Sequence, residues 1–94
     1  MAVNFKFTLL FFGENTSAGE LKKSLMRLVE RAGKTCELEM IDLSVQPEAV
    51  VKYRVLATPL LIRTKPLPIR RFIGHLTDSE RVTRTIGLDV DTID

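Results

Sequence analysis

Apolar and polar residues alternate along the first segment of the chain, NFKFTLLFFG, with the two-residue period of a β-strand. One face of this strand carries four apolar side chains, those of Phe5, Phe7, Leu9 and Phe11. Leu10 and Phe12 add apolar side chains to the other face, so burial of both faces is favoured. We therefore predict that this strand lies in the middle of a sheet and is covered on both sides.

The second segment, SAGELKKSLMRLVERAG, has the spacing of an amphipathic helix. Its apolar stripe consists of Leu21, Leu25, Leu28, Val29 and Ala32. Ser17 and Glu20 match the capping box, in which each side chain accepts a hydrogen bond from the backbone N–H of the other residue. Gly33 suits the left-handed turn that ends many helices. A helix that begins at Ser17 and stops at Gly33 is predicted.

The next two segments predict a second strand and a second helix. TCELEMIDLS has an apolar face formed by Cys36, Leu38 and Met40. Because a helix connects it to the first strand, we expect the two strands to be parallel, with a right-handed crossover. In QPEAVVKYRV, Pro47 occupies a position that suits the first residue of a helix. The helical face of this segment consists of Ala49, Val50 and Tyr53.

Two apolar runs in the second half predict an antiparallel hairpin. They span Val55–Ile62 and Ile69–Gly74, and Pro66 and Pro68 lie between them. Since proline fixes φ and has no backbone N–H, this link is expected to be a turn.

The last segment, LTDSERVTRTIGLD, predicts a helix but carries conflicting signals. Thr77 and Glu80 form a second capping box, while the β-branched residues that follow favour a strand. AVVKYRVL shows the same conflict, and PLPIRRFIG could also begin a short helix at one of its prolines. Local preference in the second half therefore leaves more than one packing open, although ordinary override of weak preferences by tertiary contacts is the simpler explanation, and we favour it.

The order of elements predicts one α/β domain over residues 1–94. A mixed four-stranded sheet with helices on both faces, in the order βαβαββα, is the thioredoxin-like arrangement. Thr58–Pro59 stands where thioredoxin-like proteins place a cis-proline before a strand, and glutathione-binding relatives pair this backbone with a peptide. A tight bend that only positions the strand is the simpler explanation of the candidate cis-proline, Pro59, and we favour it.

Composition narrows the functional classes without selecting one. The chain is 45% hydrophobic and 28% charged, which is typical of a folded domain. Its formal net charge of +2 is too small to indicate a nucleic-acid or membrane partner by itself. No segment has the length of a membrane span or the layout of a signal peptide, so a cytoplasmic location is expected.

The residues needed for catalysis or cofactor binding do not assemble in this sequence. A thioredoxin-type enzyme needs a C-x-x-C where the first strand meets the first helix, and this chain has GENTS there. Cys36, the only cysteine, is expected to be a buried apolar residue, and His75, the only histidine, a loop residue. Neither glycine-rich phosphate motif occurs. We expect no catalytic residue, no metal and no cofactor.

The hairpin concentrates basic residues. The charged residues between positions 55 and 76 are Arg63, Lys65, Arg70 and Arg71. We expect Arg63, Arg70 and Arg71 to be exposed and to bind an acidic protein surface, because guanidinium groups pair well with carboxylates. A thiol- or glutathione-binding protein is one alternative, but it lacks its nucleophile. A small basic nucleic-acid-binding module is another, but Phe72 is the only aromatic residue of the stretch.

The second half of the chain resembles the KaiB family of small circadian clock proteins. The segment Leu56–Asp89 carries L-A-T-P, a proline-rich link, R-R, I-G-x-L-[ST] and G-L-D in the order and at the spacing of that family. MIDLSVQPE and LLFFGENTSAGE resemble its upstream segments more loosely. The chain departs from the family at Ser17, Leu60 and His75, which stand where Pro, Thr and Asp are common, so it is expected to be a divergent or a non-cyanobacterial member.

The resemblance implies a non-enzymatic regulator that binds KaiC, a hexameric RecA-like ATPase, or a relative of it. It also implies KaiA and a SasA-like kinase as further clock partners, and a resting homodimer or homotetramer. KaiB proteins are metamorphic: the resting packing is βαββααβ, and the thioredoxin-like form binds KaiC. Arg63, Arg70 and Arg71 match basic positions of the family, and Gly87 and Asp89 match its fold-switching end.

The conflict within Thr77–Asp89 generates a testable prediction about Gly87. Glycine costs about 1 kcal/mol in a helix interior relative to alanine, enough to change the population of a minor packing. We expect Gly87→Ala to shift population toward the packing in which this segment is helical, and to accelerate partner binding if that packing is the competent one. NMR spectra of both proteins measure the shift.

Two other outcomes of Gly87→Ala, a loss of stability and an unchanged spectrum, would contradict the predicted shift in population. If Gly87 ends a helix in the left-handed conformation, alanine lowers stability instead. A single unshifted set of peaks with unchanged binding kinetics would show that this chain does not switch.

Overall fold

A computed structural model describes residues 3–13 and 16–73 and shows a mixed four-stranded sheet with helices on both faces. The elements are β1 (Phe5–Phe11), α1 (Thr16–Arg31), β2 (Cys36–Asp42), α2 (Ala49–Lys52), β3 (Leu60–Lys65) and β4 (Arg70–Ile73). The strand order is β2-β1-β3-β4, with β1 parallel to β2 and antiparallel to β3, and β3 antiparallel to β4. The predicted thioredoxin-like fold class and the predicted hairpin are confirmed.

The helix predicted from Thr77 onward lies outside the described residues. His75, Gly87 and Asp89 lie there as well.

β1 is the central strand that its apolar pattern predicts. Leu9 and Leu10, which point to opposite faces, are both fully buried. The face of Leu9 packs against α1 in a core that includes Leu25 and Leu61. The face of Leu10 packs in a second core that includes Ala49 of α2. The two helices therefore cover opposite faces of one sheet.

The start of α1 differs from the prediction, whereas its end agrees with it. The helix begins at Thr16, so Ser17 lies inside the first turn and not at the capping position before it. At the other end, Gly33 has φ +71°. The Gly33 N–H donates to the Glu30 carbonyl over 2.9 Å, and the Lys34 N–H donates to the Val29 carbonyl over 3.1 Å. This pair of hydrogen bonds is the Schellman motif.

α2 is shorter than predicted. It forms a single turn from Ala49 to Lys52, so Pro47 precedes the helix and is not its first residue. The turn ends in a second Schellman motif, in which Arg54 adopts the left-handed conformation with φ +53°. The Arg54 N–H donates to the Val51 carbonyl over 3.2 Å, and the Val55 N–H donates to the Val50 carbonyl over 2.9 Å. Because β-branched residues are poor helix formers, the early stop is physically reasonable.

The two glycines of the α1 segment should respond in opposite ways to alanine. Gly33→Ala places a Cβ on a left-handed residue and should lower the free energy of unfolding by about 1 kcal/mol. Gly19→Ala should raise it by roughly 0.5–1 kcal/mol, since Gly19 lies within α1 and a Cβ added there would meet open space. Urea unfolding at one protein concentration measures both. Equal effects of the same sign would contradict the assigned helix end.

Candidate functional site

The hairpin of β3 and β4 places the basic residues at one edge of the sheet. Every charged residue between Glu48 and Asp78 is basic, which gives this part of the chain a strong positive charge. β4 is an edge strand, paired only with β3 among the described residues. In the register of these strands, Arg63 pairs with Arg70, and Ile62 pairs with Arg71. Paired residues share a face, so Arg63 and Arg70 lie on the α1 side of the sheet and Arg71 lies on the α2 side.

Arg63 is buried, with 7% of its surface exposed, so its predicted exposure is wrong. It lies on the same face as Leu61 and opposite Phe7, among residues of the core. Its Nη2 donates to the Pro68 carbonyl over 2.8 Å and so closes the link between the two strands. Burial, and then the charge of Arg70, lower the pKa of Arg63 below the ordinary arginine value. This contact gives Arg63 a structural role.

Arg71 is exposed, as predicted, but its guanidinium is held by the backbone. Its Nη2 donates to the Tyr53 carbonyl over 2.7 Å and to the Arg54 carbonyl over 2.9 Å. Both acceptors lie just after α2, where a helix leaves carbonyl groups without intrahelical partners. Arg71 thus joins the end of α2 to strand β4.

Arg70 is exposed, as predicted, and its guanidinium makes no hydrogen bond or ion pair within the part of the chain that the structure describes. Of the three predicted site arginines, it is the one whose guanidinium is available to a partner. A free guanidinium presents donors in a planar fork that matches a carboxylate.

Exposed apolar side chains accompany these arginines. Leu56 is 90% exposed and Val51 is 81% exposed, and both belong to α2 or to the chain that follows it. On β4, Ile73 is 51% exposed and shares the face of Arg71. We call the set of Val51, Leu56, Arg70, Arg71 and Ile73 the edge surface, in which Arg71 and Ile73 lie on the α2 side of β4 and Arg70 lies on its α1 side. An exposed set of apolar side chains bordered by charge is typical of a protein interaction site.

The candidate cis-proline lies directly before β3. The Thr58–Pro59 peptide bond is cis, and Pro59 is buried. Lys65–Pro66 and Leu67–Pro68 are cis as well, within the link between β3 and β4.

Cys36 is remote from the place where a thioredoxin-like enzyme carries its thiols. It pairs with Phe5 at the beginning of β1, whereas the first helix follows the other end of that strand. Its side chain is half-buried, with Sγ 3.7 Å from Sδ of Met26. Burial raises the pKa of the Cys36 thiol, which favours the less reactive protonated form.

The carboxylate of Asp42 connects the two loops at the carboxyl end of β1 and β2. Its Oδ1 accepts hydrogen bonds from the Ser44 hydroxyl over 2.7 Å, the Gly13 N–H over 2.8 Å and the Ser44 N–H over 2.9 Å. These bonds, the Ser44 hydroxyl foremost, lower the pKa of Asp42. Sequence reasoning did not single out this residue, although an Asp two residues before a Ser at the end of a strand is typical of such a turn.

Residues 3–13 and 16–73 contain neither a metal-binding cluster nor a membrane-spanning helix. No three His, Cys, Asp or Glu side chains lie together there in a way that could hold a metal ion. No helix in that part of the chain is long and apolar enough to cross a bilayer.

The sheet order and the proline before β3 place the chain in the thioredoxin-like class of folds. Solved structures agree. The chain is similar to the N-terminal domain of SasA from Synechococcus elongatus, with a TM-score of 0.74 and 17% identity over 100% of this chain and 90% of that one. It is also similar to chloroplastic thioredoxin z, with a TM-score of 0.68 and 14% identity over 93% and 80% of the two chains.

Sequence comparison then identifies the family. The model of the KaiB domain matches residues 8–88. The circadian clock oscillator protein KaiB of Rippkaea orientalis is 36% identical over 94% of this chain and 88% of that protein. KaiB of Synechococcus elongatus is 45% identical over 53 residues, which are 56% of this chain and only 50% of the relative. The chain belongs to the KaiB family, and the predicted family resemblance is confirmed.

The environment of Cys36 predicts that its thiol reacts slowly with disulfide reagents. Because burial raises its pKa, the thiolate fraction of the folded protein at neutral pH should be below that of an exposed cysteine. We expect the reaction with a disulfide reagent at neutral pH to be slower in the folded protein than in urea, and its rate to level off at a higher pH in the folded protein than in urea. A folded thiol that reacts as fast as the unfolded one at pH 7 would contradict the assigned environment.

Proposed function

We propose that this protein is a non-enzymatic regulator that binds a KaiC-type, hexameric RecA-like ATPase in a circadian clock or a clock-derived timing or stress system. The observation that carries the proposal is the edge surface with its available Arg70, on a chain of the KaiB family. KaiA and a SasA-like kinase are proposed as further partners, without nucleic acid or membrane. The site of action is proposed to be the cytoplasm.

The charge of the edge surface favours an acidic protein partner. Arg70 can form a bidentate pair with a carboxylate, and Lys52 and Arg54, at the end of α2, add positive charge without a compensating acid between Glu48 and Asp78. Leu56 and Val51 supply the apolar area that a stable interface needs at its centre. Charge of one sign around such a centre raises the association rate with an acidic surface.

The arrangement of the second half also supports this function. The described elements follow the thioredoxin-like order, which the KaiB resemblance assigns to the form that binds KaiC. The alternative βαββααβ packing in a resting homodimer or homotetramer remains part of the proposal. The likeness to the SasA domain supports competition between the two proteins for one partner surface.

A single substitution tests the proposed site. Arg70→Ala removes an exposed guanidinium that makes no hydrogen bond or ion pair with the described residues, so the fold should persist while affinity for a KaiC-type ATPase falls roughly 10- to 100-fold, the cost of a charge-assisted hydrogen bond. Arg27→Ala, which removes an exposed arginine from α1, is the matched control and should bind like the unsubstituted protein. Titration by fluorescence anisotropy measures both.

Undiminished affinity of Arg70→Ala would remove this arginine from the site. Equal losses in both variants would indicate a general effect of positive charge. Binding of the unsubstituted protein to single-stranded DNA with a steep salt dependence, and none to the ATPase, would favour the nucleic-acid alternative.

A further inference from the structure

We propose that Arg71 contributes to partner binding by position rather than by contact. Its guanidinium holds the turn after α2 against β4, so that Leu56 on that turn and Ile73 on the strand form one surface for an acidic, partly apolar segment of the partner. This inference rests on the proposed binding function and deepens it, because it specifies how the edge surface is built.

The hydrogen bonds of Arg71 leave little capacity for a carboxylate of a partner. Nη2 carries two hydrogens and donates to two carbonyl groups, those of Tyr53 and Arg54. A guanidinium binds a carboxylate bidentately through Nη2 together with Nη1 or with Nε. While both Nη2 hydrogens serve the backbone, neither bidentate mode is open. Arg70, on the opposite face of the strand, remains available for that role.

The turn after α2 is a segment that hydrogen bonds from β4 can stabilise. Arg54 holds a left-handed conformation that residues other than glycine adopt at a cost. α2 itself has a single turn, and a helix of this length is not stable alone. Leu56 lies two residues beyond Arg54 and is 90% exposed, so few contacts of its own side chain fix its place. The Schellman hydrogen bonds and the packing of Tyr53 and Val55 against the core hold the turn itself. The two hydrogen bonds from Arg71 join that turn to β4, and we infer that they help to set where Leu56 lies relative to Ile73.

The positive charge of this surface favours an acidic partner segment over a second copy of the same chain. The charged residues of α2, of the chain from α2 to Leu56 and of β4 are Lys52, Arg54, Arg70 and Arg71, and all are basic. A second copy that presented the same surface in a two-fold dimer would set these charges against each other. An acidic segment with apolar side chains matches both the charge and the exposed Leu56 and Ile73.

The hydrogen bonds of Arg71 to the Tyr53 and Arg54 carbonyls are tested first in the free protein. The substitution is Arg71→Lys, which keeps the positive charge but loses the planar group that reaches both carbonyls. We expect the ¹³C shifts of the Tyr53 and Arg54 carbonyls to change, and hydrogen exchange of the Val55 amide, which donates to Val50, to accelerate about tenfold. Unchanged shifts and exchange would overturn the proposal whether or not the protein binds an ATPase.

A double-mutant cycle then tests the link to binding. Leu56→Ser and Arg71→Lys should each weaken binding to the ATPase, by roughly tenfold and several-fold, and the double variant should lose less than the product of the two. Val45→Ser removes a 72% exposed apolar side chain from the loop before α2 and should leave binding unchanged. Losses that multiply in the double variant would overturn the positional role of Arg71.

Failure of the proposed function is distinguishable from failure of this inference. If the unsubstituted protein does not bind the ATPase, the same cycle is run with the acidic copolymer poly(Glu,Tyr), with polylysine as the control. Coupled losses toward the acidic copolymer support the composite surface without the clock partner. Equal binding of all variants, or binding of polylysine, overturns it.

Discussion

The burial of β1 on both faces and along both edges is the constraint on which the described structure depends. Leu9 and Leu10 have no exposed surface, and each belongs to a different core. A central strand of this kind must be paired on both sides, because unpaired backbone groups in a core are costly. β2 pairs with one side of β1 and β3 pairs with the other. β4 is thereby directed to the outer edge, and its arginines come to lie at the border of the sheet.

Features that follow from local residue type and spacing were predicted correctly from the sequence. Features that depend on tertiary contacts were not. The double-faced pattern of β1, the hairpin and the stop at Gly33 all follow from residue type and spacing, and all are confirmed. The length of α2 did not follow, because a left-handed Arg54 has no marker in the sequence comparable to a glycine. Helix starts are ambiguous by a residue or two, which explains the error at Ser17.

The same distinction explains the three predicted site arginines. The burial of Arg63 had a signal that the prediction did not use, because residue 63 falls on the same face as Leu61, two positions earlier. The role of Arg71 had none, since its acceptors lie 17 and 18 residues away and come near only when α2 folds against β4. Basic residues that appear equivalent in the sequence therefore separate into one buried, one tied to the backbone and one available.

The most direct test of this structure is a measurement of whether β1 and β3 are adjacent in the form of the protein that is bound to its partner. Leu9 and Leu61 face each other across the two strands and share a core. In protein with labelled leucine methyl groups, a nuclear Overhauser effect between Leu9 and Leu61 should be present in the complex with a KaiC-type ATPase. Its absence from the complex, with Leu61 in contact with other residues, would show that the form that binds is not the one described.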